Sequence, residues 1–272
     1  MTLVMGVVNV TPDSFSDGGR FIAADAAIAH GLELAAQGAD IVDVGGESTR
    51  PGAERVPEDV ELERVVPVVR ALASDGIVVS VDTMRASVAA AAVEAGATIV
   101  NDVSGGLADP AMARTVAGLG VDYVAMHWRG HSTEMDTRDV YADVVAEVRD
   151  ELAARVAGLS DAGVDPARII LDPGLGFAKV ADSNWPLLAR MDAWAAGHRV
   201  LIGASRKRFL GAVIARPGVP ADDPSVREDA TTAVTVLAAE HGAWAVRVHN
   251  ATAAKDAIAV VNAWTNARNA RR

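Results

Sequence analysis

Leu3-Val4-Met5-Gly6-Val7-Val8-Asn9-Val10-Thr11-Pro12-Asp13-Ser14-Phe15-Ser16-Asp17-Gly18-Gly19 begins as an apolar run and breaks into a polar, glycine-rich loop. Leu3 to Val8 carry no charged or hydrogen-bonding side chain, as expected of a strand buried on both faces. The amide of Asn9 marks the carboxyl end of that strand. Pro12-Asp13 and Asp17-Gly18-Gly19 are ordinary turn formers, and a solvated turn accounts for the loop taken alone. The same succession recurs along the chain, and the recurrence decides the fold.

Further strand-like runs are Asp40–Val44, Ile77–Val81, Thr98–Val100, Asp122–Met126, Arg168–Leu171, Arg199–Ile202 and Trp244–Val248. Alanine-rich segments with helical spacing lie between them. Leu62, Val65, Val66, Val69 and Leu72 form one such stripe, interrupted by Pro67. Val140, Val144, Val145, Val148, Leu152, Val156 and Leu159 form another. Strands alternating with helices predict an α/β fold, most simply a single (β/α)8 TIM barrel over 1–272 with its site at the carboxyl ends of the strands. A doubly wound open sheet is the alternative. Trp128–Tyr141 and Ala215–Arg227 read as surface loops.

The composition agrees. Half of the 272 residues are hydrophobic but only 4% are aromatic, so Ala, Val, Leu and Ile must build the core. No cysteine is present, which excludes disulfides and thiolate metal sites. A formal charge of −11 argues against a nucleic-acid surface. No apolar run approaches the ~20 residues that span a bilayer. The amino end has no basic region followed by an apolar stretch, so a cytoplasmic protein is expected.

Each strand end is polar. After Asn9 come Asp43 with Gly45-Gly46-Glu47-Ser48-Thr49-Arg50-Pro51-Gly52, then Asp82-Thr83, then Asn101-Asp102. His127-Trp128, Asp172-Pro173-Gly174-Leu175-Gly176-Phe177, Ser205-Arg206-Lys207-Arg208 and Arg247-Val248-His249-Asn250 follow. Singly, Asp82 and Asp172 read better as helix caps and Asn101 can cap too, and His249 reads as a hydrogen-bonded structural histidine. Collectively, one pocket explains all eight ends. Asp82, Asn101 and Asp172 would accept hydrogen bonds from a ligand rich in N–H groups. Lys207, Arg247 and His249 follow the last two strands, where barrels commonly hold phosphate. A planar amino-heterocycle bearing a phosphate ester suits both halves. Gly174 and Gly176 would let backbone approach its flat ring. The remaining histidines, His30, His127, His131, His198 and His241, carry no assigned role.

These ordered motifs, with Gly203-Ala204-Ser205-Arg206-Lys207-Arg208-Phe209 among them, cover nearly the whole chain. They resemble dihydropteroate synthase of bacterial folate biosynthesis, with an actinobacterial flavour. The resemblance implies a homodimer that joins 6-hydroxymethyl-7,8-dihydropterin diphosphate to 4-aminobenzoate. It implies that Asp82, Asn101, Asp172, Lys207 and Phe177 hold the pterin, and that Arg247 covers its ring. Arg50, Arg247 and His249 would face the diphosphate, and Asn9 would ligate Mg2+. Phe15, Thr49 and Pro51 would form the aminobenzoate site, with Asp17 and Arg50 interacting across the first two loops. The implied chemistry is a dissociative substitution in which Asp17, Arg50, Lys207, Arg247 and His249 take part. A pterin-dependent methyltransferase barrel and a silent pterin-binding paralogue are the alternatives.

Overall fold

The computed structural model describes residues 1–10, 20–47, 55–130, 139–179, 181–218, 220 and 223–270. Among these, the first half runs β1 Leu3–Asn9, α1 Arg20–Ala36, β2 Ile41–Gly45, α2 Glu58–Ser74, β3 Val79–Asp82, α3 Ala86–Glu94, β4 Ile99–Asp102 and α4 Met112–Leu119. The second half runs β5 Asp122–Met126, α5 Val144–Asp161, β6 Ile169–Asp172, α6 Ala181–Ala189, α7 Met191–Ala195, β7 Arg199–Ile202, α8 Arg208–Ile214, α9 Glu228–Glu240, β8 Ala245–Val248 and α10 Ala251–Asn269. The strands pair in sequence order, and β8 pairs with β1 to close the barrel. All pairings are parallel, so the open-sheet alternative is excluded.

Side chains alternate across each strand, and this sorts the core into two compartments. Val4, Val8, Val42, Val44, Val81, Val100, Leu171, Ile202, Val246 and Val248 pack outward in the cluster shared with the helices. Met5, Ile41, Ile99, Val124, Ile170, Leu201 and Ala245 form a separate cluster inside the barrel. Two residues further along each strand, the same inward face carries Val7, Asp43, Asn101, Met126, Asp172, Gly203 and Arg247. The floor is therefore apolar and the next layer is mostly polar.

Strand ends extend beyond the apolar runs. Asn9, Asp82, Asn101 and Asp172 all lie inside strands rather than in the loops after them. Asp82 and Asn101 are partners in the β3–β4 register, which fixes their spacing. The helix-cap readings of Asp82 and Asn101 fail, because both are strand residues. Helix α3 instead starts after Arg85, which makes no side-chain cap. Pro67 lies within an uninterrupted α2. The stripe beginning at Val140 starts too early: α5 begins at Val144, with the Asp143 carboxylate capping the amides of Val145 and Ala146. Val140 itself is 78% exposed. Among the described residues, no helix is long and apolar enough to cross a membrane.

Candidate active site

The inward polar layer is tightly connected. Asp43 is fully buried on β2, and its Oδ2 accepts from Asn101 Nδ2 at 3.0 Å and Arg247 Nε at 2.6 Å. Arg247 Nη2 donates to Asp82 Oδ2 at 2.8 Å. One guanidinium thus ties together β2, β3 and β8, while an amide from β4 joins the same carboxylate. Asp43 Oδ1 and Ser80 Oγ have no hydrogen-bond partner among the described residues. Such orphaned buried acceptors are costly unless a ligand or water supplies a donor.

Across the barrel, Asp172 Oδ1 accepts from the Gly174 amide at 2.7 Å. Lys207 precedes α8 and donates from Nζ to the Leu175 carbonyl, with Nζ 4.6 Å from the Phe177 ring centre. A methyl group placed on Gly203 would lie 3.6 Å from Asp172 Oδ2, 3.8 Å from Lys207 Nζ and 4.0 Å from Arg247 Cβ. Gly203 therefore leaves open the space that these three residues surround. His249 Nδ1 lies 2.9 Å from Ser205 Oγ, beyond the end of β8. Asn9 is half-buried at the end of β1.

Burial and charge set the ionisation here. Burial pushes the Asp82 carboxyl up to about 7; Arg247 opposes this and the nearby Asp43 adds to it. Burial likewise raises Asp172, against the pull of Lys207. Burial lowers the Lys207 ammonium to about 8, with Asp172 working the other way. A ligand donating N–H groups to these carboxylates favours their ionised forms.

Sequence reasoning and structure differ in particulars. Asp82, Asn101, Asp172, Lys207 and Arg247 converge as expected, with Phe177 against Lys207. Asp102, the neighbour of Asn101, belongs to the opposite face. Its carboxylate accepts from Ser104 N and Oγ, Gly106 N and the Tyr123 hydroxyl. Gly174 is needed for a different reason from the one its sequence suggested. Its φ is 67°, and a Cβ there would lie 2.4 Å from the His127 carbonyl oxygen. Phe15, Asp17, Thr49, Arg50 and Pro51 lie outside the described residues, as does His131.

Sequence reading gave no role to Asp43, although its position two residues after the inward Ile41 is the available signal. His127 is not incidental. It is 1% exposed, with Nε2 at 3.0 Å from Glu151 Oε2 and Nδ1 at 2.9 Å from Lys179 Nζ. Burial and the Lys179 charge hold its pKa down at about 4. Because the folded value lies below the unfolded ~6.5, protonation favours unfolding. The neutral form stabilises fully above pH ~6.5, and that contribution is lost as pH falls towards 4. At pH 5 the loss is about 2 kcal/mol. Urea unfolding at pH 7.5 and pH 5 should therefore show a larger drop in the wild type than in His127→Asn. Equal drops would contradict a neutral His127.

The geometry can be set beside known proteins. The model of the pterin binding enzyme family matches residues 5–249. Dihydropteroate synthase of Mycobacterium leprae is 56% identical over 266 residues, covering 97% of this chain and 94% of that protein. Xanthomonas albilineans dihydropteroate synthase, solved with 4-aminobenzoic acid, superposes with a TM-score of 0.89 at 44% identity, covering 97% of this chain and 93% of that one. The same bacterium's enzyme in complex with 7,8-dihydropteroate superposes with a TM-score of 0.86 at 41% identity, covering 97% and 94%. The chain belongs to the pterin-binding enzymes and, within them, to the dihydropteroate synthases.

Proposed function

We infer that this protein condenses 6-hydroxymethyl-7,8-dihydropterin diphosphate with 4-aminobenzoate, giving 7,8-dihydropteroate and diphosphate. The observation that carries the reading is the inward layer: Asp43, Asp82, Asn101, Asp172 and Arg247 on five strands, with Lys207 beside Asp172. That layer offers acceptors to an amino-heterocycle and cations to an anionic ester, within a family that performs this condensation. A silent paralogue or a methyltransferase would share the acceptors, so turnover separates them.

The chemistry follows from the charges. The bond from the pterin methylene carbon to the diphosphate oxygen breaks, and its electron pair leaves with diphosphate. The dihydropterin ring spreads the positive charge, and the buried carboxylates Asp82 and Asp172 favour it electrostatically. Arg247 is held rigidly by Asp43 and Asp82, so its remaining surface offers fixed positive charge to the leaving group without reorganisation. His249, oriented by Ser205, adds a donor there. The arylamine nitrogen then bonds to the carbon and loses its proton afterwards, so no general base is required. Asp17 and Arg50 belong to this scheme through the family resemblance, with Phe15, Thr49 and Pro51 flanking the aminobenzoate.

Mg2+ fits the residues present. Among the described residues no group of three His, Cys, Asp or Glu could hold a metal by itself. One amide oxygen from Asn9 suits a cation that takes few protein ligands and binds chiefly through substrate phosphates and water. When bound, Mg2+ would neutralise charge on the departing diphosphate. A cytoplasmic homodimer completes the reading, with sedimentation at several concentrations as the check on assembly.

Purified protein given both substrates and Mg2+ is expected to release dihydropteroate, detected by chromatography. Chelation of the metal should abolish product, and Asn9→Ala should raise the Mg2+ concentration giving half-maximal rate roughly tenfold. Pterin binding without product would favour the silent paralogue. Neither binding nor product would overturn the assignment.

A further inference from the structure

Lys179 belongs to none of the roles above, yet its side chain is buried, 7% exposed, directly behind the site, and burial lowers its pKa to about 7. Its Nζ donates to the Phe177 carbonyl at 3.0 Å and the Gly174 carbonyl at 3.1 Å, and lies 2.9 Å from His127 Nδ1. Three acceptors surround the Lys179 nitrogen, matching the three N–H bonds of its ammonium form. The His127 tautomer follows. Glu151 accepts as a carboxylate, so Nε2 carries the ring proton and Nδ1 accepts from Lys179. Glu151 is in turn held by Arg129. A polar chain thus runs from α5 through β5 to the loop after β6.

That loop is what the site leans on. Its Gly174 amide holds Asp172, its Leu175 carbonyl holds Lys207, and its Phe177 ring lies against the same ammonium. The loop is also conformationally demanding. Gly174, Gly176 and Ala178 all have left-handed backbone, with φ of 67°, 72° and 47°. A left-handed alanine persists only when its surroundings hold it. Lys179 is the next residue, and its two carbonyl contacts bracket the turn. The amide of Gly176 is fixed separately by Asn184 Oδ1 at 2.7 Å.

We propose that Lys179 is a positioning residue for the pterin half of the site. Held by His127 and Glu151, it locks the 173–178 turn that aims Asp172 and Lys207. The proposal rests on the pterin reading above. Loss of Lys179 should loosen the pterin half of the site.

The test uses 6-hydroxymethylpterin, which lacks diphosphate and cannot turn over, with binding measured by calorimetry. Lys179→Met is expected to weaken it roughly tenfold or more, as small misplacements of binding groups do. Thermal melting and near-ultraviolet circular dichroism establish that the variant is folded. Should Lys179→Met not fold, two substitutions at His127 decide. His127→Asn keeps an acceptor where Nδ1 stands, whereas His127→Gln places its amide where Nε2 stands. The first should bind pterin within about threefold of wild type, and the second roughly tenfold more weakly. Unchanged pterin affinity in Lys179→Met, or equal affinities in the two His127 variants, would overturn the proposal. Failure of the wild type itself to bind the pterin would instead overturn the functional reading on which it stands.

Discussion

Replacing Arg247 by Met is expected to lower turnover by about 100- to 1,000-fold, the usual effect of removing one preorganised charge from a developing anion. Its guanidinium is the shared partner of Asp43 and Asp82 and is only 23% exposed. Its removal should also cost about 3 kcal/mol of stability, because two buried carboxylates lose their counter-ion. Burial already pushes the Asp82 carboxyl up to about 7 with Arg247 in place. Without that cation its pKa must rise further, so Asp82 would hold its proton at neutral pH. Arg247→Lys should recover part of the stability but little of the turnover, since a single ammonium cannot reproduce the fork across two carboxylates. Steady-state kinetics with urea unfolding checks both halves. A variant with full turnover would remove Arg247 from the mechanism.

Asp172→Asn should act on binding instead. The amide preserves shape and can still accept from the Gly174 N–H, but it loses the charge. Pterin affinity should fall by about 100-fold, in keeping with the loss of charge-assisted hydrogen bonds. The free protein should be as stable as wild type or more so, because burial disfavours the native carboxylate. The Asp172 charge also raises the Lys207 pKa, so its loss should carry that ammonium below about 8. The alkaline limb of the pterin affinity profile should then move to lower pH. Calorimetry from pH 6 to 9 reads both effects, and unchanged affinity would exclude Asp172 from the pocket.

Much of the fold was legible because its strands are valine-rich and buried on both faces. Such runs stand out against alanine-rich helices even without strict alternation. Their carboxyl ends were harder to read. Asn9, Asp82, Asn101 and Asp172 are polar, so hydropathy stops short of them, yet the barrel ladder continues through them. Those same residues drew attention as a list of polar ends, which is why a polar layer at the barrel mouth could be anticipated.

The supporting residues were hidden for physical reasons. Asp43 is surrounded by valines in sequence, and only the inward register of β2 makes it the acceptor for Asn101 and Arg247. Lys179 follows a glycine-rich turn, and nothing in its local sequence marks it as buried. Its burial depends on carbonyls that curl round it and on a histidine 52 positions away. Glu151 and His127 meet only because α5 packs beside the end of β5. Local sequence specifies which groups stand at the barrel mouth, whereas the packing behind the mouth decides how they are held.

The most direct measurement is a crystal structure of the protein with 6-hydroxymethyl-7,8-dihydropterin diphosphate. The pterin is expected among Asp82, Asn101, Asp172 and Lys207, with the diphosphate towards Arg247 and His249. Ligand density at another site, with this layer unchanged and empty, would contradict it.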